Sequence, residues 1–142
     1  MGVNLVNIRS FTWDDISSVN MLMARLCKDT DSPFDETRFK KSVKKRIRDP
    51  KSMLFVAEVD DHLIGMVHAF IEKNHTGIIN NFFVLSRYRK QGVGGKLLDY
   101  AEAFFKRHKI NKIIFKARRG RRIFNIMRNR GYKEQYVVMM KD

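Results

Sequence analysis

The eight residues RKQGVGGK, Arg89 to Lys96, set three glycines among three cations. Glycines let a ligand approach the backbone closely. If a helix starts here, its first N–H groups lack intrahelical partners and carry partial positive charge. Such a junction suits phosphate. Just upstream, Asn80 and Asn81 interrupt the apolar run IINNFFVL. An asparagine can orient a water or an amine but cannot take a proton at neutral pH. The titratable groups near that run are His68, Glu72 and His75, which are base candidates and also read as ordinary strand-face or turn residues. The glycine spacing is not that of a P-loop. The hairpins that precede it are not the opening βαβ unit of a dinucleotide-binding fold. Cys27 is the one cysteine, so the chain has neither a disulfide framework nor a cysteine metal set, and a small buried hydrophobe is expected there. No metal site is expected.

These residues need elements to position them. VNLVNIR alternates as a first strand. FTWDDISSVNMLMARLC carries Ile16, Val19, Met23 and Leu26 at helical spacing, with Thr12 and Asp15 as a capping box. A second helix presents Phe39, Val43 and Ile47 on one face, surrounded by Lys40, Lys41, Lys44, Lys45, Arg46 and Arg48, and is expected to end at Asp49-Pro50. SMLFVAEV, a DDH turn and LIGMVHAFIE form a hairpin, and IINNFFVL follows as a strand. Beyond the glycine turn, Val93, Leu97, Leu98, Ala101, Phe104 and Phe105 make a helical stripe. KIIFKA reads as a buried strand, Ile123 to Met127 as a short helix closed by Gly131, and YKEQYVVMMKD as a final strand. The order is β-α-α-β-β-β-α-β-α-β, an α+β domain over residues 1–142 with a largely antiparallel sheet.

The 142 residues suffice for one core, and 44% hydrophobic residues exclude a disordered composition. No apolar run is long enough to span a membrane, and the N-terminus lacks a signal-peptide pattern. A cytoplasmic protein is expected. The net charge of +14 is unevenly placed. From Lys73 to Lys133, seventeen Lys and Arg face only Asp99 and Glu102, a local charge of +15, and the remainder sums to −1. That asymmetry calls for an anionic ligand or surface, or a solvated basic face.

RKQGVG resembles the R/Q-x-x-G-x-G/A motif of the GNAT superfamily of acyl-CoA N-acyltransferases. It follows the strand end FFVLSRY and precedes an amphipathic helix. VNIRSFTWDDI, FVAEVDDHLIGMV and NRGY are similar to that family's first strand and helix, second and third strands, and closing Gly-aromatic pair. The resemblance implies a three-layer α/β/α fold with about four helices. Its mixed sheet of six to seven strands would split between the fourth and fifth. It implies acetyl-CoA as the cofactor, held by Phe82, Phe83, Val84, Arg89, Lys90, Gln91, Gly92, Val93, Gly94, Gly95 and Lys96. Pantetheine would lie along the fourth strand, with pyrophosphate on the Gln91 to Gly95 amides. It further implies acetyl transfer to an amine by direct attack in a ternary complex. The Val84 N–H would serve as oxyanion donor, with Asn80 orienting a water or the amine.

Three positions depart from the family pattern. Asn80 and Asn81 stand where relatives carry a carboxylate, Met127 stands in place of a tyrosine acid, and Gly120 in place of an asparagine. A degenerate member that binds coenzyme A, or a protein or nucleic-acid partner, with little catalysis is the alternative. KARRGRR, Lys116 to Arg122, fits coenzyme A phosphates, an acidic acceptor or RNA, or a solvated helix face. The family also implies an acceptor wall around KDTDSPFDE, where Asp29, Asp31, Asp35 and Glu36 meet an amine or serve as turn and cap residues. Homodimers are frequent in such a family.

Overall fold

The computed structural model describes residues 5–117, 120–135, 139 and 141. Five strands run β1 (Asn7–Ser10), β2 (Ser52–Val59), β3 (His62–Ile71), β4 (Thr76–Val84) and β5 (Lys112–Phe115), with helices α1 (Ile16–Asp29), α2 (Glu36–Arg46), α3 (Val93–Arg107) and α4 (Arg122–Asn129). The sheet order follows the chain, β1-β2-β3-β4-β5. The first three pairings are antiparallel, and β4 with β5 is parallel.

The expectation of six to seven strands is corrected to five among the described residues. Residues 132–135 of the expected closing strand lie outside any ladder. The Tyr132 N–H donates to the Met127 carbonyl at 3.0 Å and its hydroxyl to Glu102 Oε2 at 2.8 Å, which ties the segment to the helices instead. The rest of that expected strand falls mostly outside the described residues. Helix α2 also stops earlier than expected. Ile47 is its C-cap and is exposed, because the chain turns at once through Asp49, whose N–H bonds to the Arg46 carbonyl and whose Oδ1 accepts from the Lys51 N–H at 2.9 Å.

The central strands are apolar on both faces, as a sheet covered on both sides requires. Phe55, Ala57, Val67, Ala69, Ile79 and Val84 pack beneath α3 and α4 with Leu97, Leu98, Phe104, Phe105 and Met127. Val56, Met66 and Phe83 face α1 and α2 with Phe11, Val19, Leu22 and Val43. Burying each of the larger side chains contributes roughly 1.5–3 kcal/mol. The β2–β3 hairpin turns on Asp60 and Asp61, at φ 48° and 64°. A two-residue turn with both φ values positive matches the twist of the strands it joins.

Two irregularities in β4 shape everything downstream. Its pairing with β5 covers only Thr76 to Ile79, so the strand beyond Ile79 has left β5. In the pairing with β3, His68 faces Asn80 but Met66 faces Phe83, which inserts one extra residue in β4. Asn81 takes the left-handed conformation at φ 51° that this bulge needs. The extra residue resets the side-chain alternation, so Asn80 and Phe83 share the α1/α2 face.

Candidate active site

Leu85 donates its N–H to the Ile64 carbonyl of β3 at 2.8 Å. By strand alternation, the Val84 N–H and carbonyl therefore point away from β3, toward the edge that β5 has left. The carbonyl is taken by Arg89, whose Nε donates to it at 2.8 Å. Arg89 also reaches Asp29 Oδ2 at 3.3 Å and lies 5.4 Å over the Phe83 ring. This cation thus fastens the end of β4 to α1.

The glycine turn lies directly beyond. Lys90 and Gly92 hold φ 64° and 84°, and Gln91 Nε2 caps the Arg87 carbonyl at 3.1 Å. Gly92 is the N-cap of α3, and the first intrahelical bond runs from the Lys96 N–H to the Gly92 carbonyl. The N–H groups of Val93, Gly94 and Gly95 precede that bond. The Val93 side chain is buried in the core, so it offers the site backbone alone. A Cβ on Gly94 would lie 2.9 Å from Cζ of Phe82, and one on Gly92 would meet nothing within 4 Å. Gly94 lets the first turn of α3 sit directly against Phe82 of β4. Lys90 and Lys96 are exposed beside it. Bare amides, a left-handed glycine cap and flanking cations together fit a pyrophosphate, and the free edge of β4 fits an extended amide-bearing arm such as pantetheine.

On the other face lies a polar cluster that connects four elements, α2, β2, β3 and β4. The His68 ring is buried. Its Nδ1 lies 2.8 Å from Asn80 Oδ1 and 2.8 Å from Arg46 Nη1, and its Nε2 lies 2.8 Å from Ser52 Oγ. A proton on Nδ1 is donated to Asn80. A proton on Nε2 is donated to Ser52, leaving Nδ1 to accept from Arg46. Either tautomer is neutral. Burial, with the Arg46 charge beside it, pushes the His68 pKa down from 6.5 to about 4, and the Asn80 contact offsets only part of this. Arg46 lies 5.3 Å from the centroid of Phe70, which stacks on His68. Burial lowers the Arg46 pKa below the usual guanidinium value. Arg46, Ser52 and His68 border a cavity of about 280 Å³ between α2 and the sheet. Phe11, Phe39, Val43, Met53, Leu54 and Met66 form its apolar walls, and Asn81 stands at its β4 side.

Other candidates lie elsewhere. Glu72 and His75 are exposed at the β3–β4 turn, the opposite end of β4 from Val84. Asp29 pairs with Arg89, Asp31 occupies a left-handed turn at φ 54°, Asp35 caps α2 through the Arg38 N–H, and Glu36 meets Lys40 and Asn20. They are the turn, cap and pairing residues of the connection. Met127 is core, and the Tyr132 hydroxyl is committed to Glu102, which together with burial raises its pKa. Arg118 and Arg119 of the basic cluster lie outside the described residues. Arg46, Ser52 and Asn81 were not singled out as a group by sequence. Arg46 sits in a run of cations that reads as a solvated helix face, and nothing local marks it as the one turned inward.

Solved structures share this fold. A predicted acetyltransferase with acetyl-CoA from Clostridium acetobutylicum aligns over 97% of this chain and 96% of its own, with TM-score 0.82 at 16% identity. Glucosamine-6-phosphate N-acetyltransferase from Arabidopsis thaliana aligns over 97% and 98%, with TM-score 0.77 at 18% identity. The aminoglycoside antibiotic 6′-N-acetyltransferase from Acinetobacter baumannii aligns over 97% and 98%, with TM-score 0.81 at 21% identity. A search of curated protein sequences finds no match. The family model of the acetyltransferase (GNAT) family matches residues 19–123, which include most of α1, all of α2, the bulged β4 and the glycine turn, and the chain belongs to that family.

Proposed function

We propose that the protein is an acetyl-CoA-dependent N-acetyltransferase that joins cofactor and amine in a ternary complex. The observation that carries this reading is the β4–α3 junction, where a strand edge freed from β5 runs into helix amides left bare by Gly92, Gly94 and Gly95. Those amides, with Lys90 and Lys96, would hold pyrophosphate, and the backbone of Phe82 to Val84 would hold pantetheine. Acetyl-CoA would supply an activated acetyl thioester at the end of β4. The Val84 N–H, pointing to the open edge, would stabilise an oxyanion there. Arg89 holds the Val84 carbonyl, in the peptide that follows this donor, and so steadies the residue from its other side.

Asn80 and Asn81 orient polar groups but take no proton. His68, with its pKa near 4, is too weak a base to gather a proton from an amine at neutral pH. The amine must therefore attack as its own neutral fraction and release its proton to solvent. The pH profile of kcat/KM should rise with unit slope toward the pKa of the amine, with no inflection near 6–7.

Calorimetric titration with acetyl-CoA tests the reading. The wild type should bind, and Gly94→Trp, whose side chain would push the first turn of α3 off Phe82, should weaken binding more than about tenfold while thermal melting confirms that the variant folds. A wild type that binds no acetyl-CoA overturns it.

A further inference from the structure

We propose that the amine acceptor is a small apolar molecule bearing a carboxylate, such as an apolar amino acid, and that Arg46 binds that carboxylate. This rests on the acetyltransferase reading and names the substrate class of the same site. The cavity between α2 and the sheet has mostly apolar walls, and its volume of about 280 Å³ lies at the small end for ligand pockets. It suits one apolar side chain with its amine better than a sugar chain or a nucleotide. Arg46 borders it and, among the described residues, forms no ion pair. Its known partners are the neutral His68 ring and the face of Phe70. A half-buried guanidinium has five donors in a fork that matches a carboxylate. Asp49, the carboxylate on the cavity wall, accepts from the Lys51 N–H.

Arg46 and Arg48 both line the cavity against the single carboxylate of Asp49, so the wall carries a net positive charge that disfavours a protonated amine. An acceptor that brings its own carboxylate cancels that repulsion, which a plain amine or polyamine cannot do. His68 acts as a positioning residue, because in the tautomer protonated at Nε2 it donates to Ser52 and accepts from Arg46 at Nδ1, which fixes the guanidinium at the cavity wall. In the transfer, the amine nitrogen forms the bond to the acetyl carbon, the thioester C–S bond breaks, the thiolate leaves, and the amine proton passes to solvent.

The test compares amines that differ only by the carboxylate: leucine against 3-methylbutylamine, and phenylalanine against 2-phenylethylamine. Binding is read by calorimetry on acetyl-CoA-loaded protein, and acetylation by free-thiol release. In the wild type the carboxylated member of each pair should be favoured about 10- to 100-fold. Arg46→Met should bring that ratio near one, and Arg46→Lys should restore part of it, with thermal melting of both variants confirming the fold. Equal or better use of the plain amines by the wild type overturns the inference, as does a ratio unchanged in Arg46→Met. Acetyl-CoA binding without binding of either amino acid also overturns it while leaving the cofactor reading intact. Failure to bind acetyl-CoA at all removes the acetyltransferase reading itself.

Discussion

His68 shows how one buried residue couples folding to pH. Its folded pKa is about 4 against an ordinary 6.5, so the unfolded chain binds a proton in this window that the folded chain refuses. Stability is therefore unaffected above pH 6.5 and falls as pH drops from 6.5 toward 4. The loss from this single group reaches about 3 kcal/mol at pH 4. Thermal melting from pH 7.5 to 4 should show it, and His68→Gln should flatten the slope between pH 6.5 and 4.5. A variant as pH-sensitive as the wild type in that range would contradict the assignment. At neutral pH the same variant should be less stable by about 1–3 kcal/mol, because Arg46, Ser52 and Asn80 lose a shared partner.

At the scale of elements, β4 and α3 form one device. The bulge at Asn81 turns Asn80 toward His68 while Phe82 stays beneath Gly94. A Cβ at Gly77, near the start of β4, would lie 2.7 Å from Cε1 of Phe105 in α3, so the helix rests directly on the strand. Gly77→Ala should destabilise by about 1–3 kcal/mol through overpacking, measured by denaturant unfolding. Gly92→Ala meets no neighbouring atom but must hold φ 84°, and should cost about 1 kcal/mol from backbone strain alone. Equal costs at the two sites would show that strain and packing have been wrongly divided between them.

For the molecule as a whole, the charge of +14 acts at a distance. An anionic cofactor approaching the basic half is drawn in by a field that salt screens over about 10 Å at 0.1 M. The Kd for acetyl-CoA should rise several-fold between 50 and 500 mM salt, with the association rate falling and dissociation changing less. Part of the basic excess is locally compensated, since Arg130 pairs with Asp99 at 2.7 Å and also with Glu102, holding the end of α4 against α3. Among the described residues, no helix is long and apolar enough to cross a membrane.

The sequence by itself determined the order of elements as far as α4, the turn chemistry and the glycine junction. These rest on local physics: the period of apolar residues, the φ values that glycine and aspartate permit, and the bare amides of a helix start. It placed the start of α3 at the glycine turn because strand, turn and helix are contiguous there. Only the tertiary structure decided which way Asn80 faces, since that depends on a one-residue bulge in the pairing of β4 with β3. It also decided that Arg89 fastens the Val84 carbonyl and that Arg46, among the six cations of α2, is the one beside His68. Those facts depend on packing between segments 20 or more residues apart, or across a turn whose direction no local pattern sets. The acidic connection before α2, an acceptor wall by family resemblance or a set of turn and cap residues, supplies a cap, turns and ion pairs in the fold. Composition reports which charges are near in sequence, while α2 packing on the sheet selects the ones that meet the cavity.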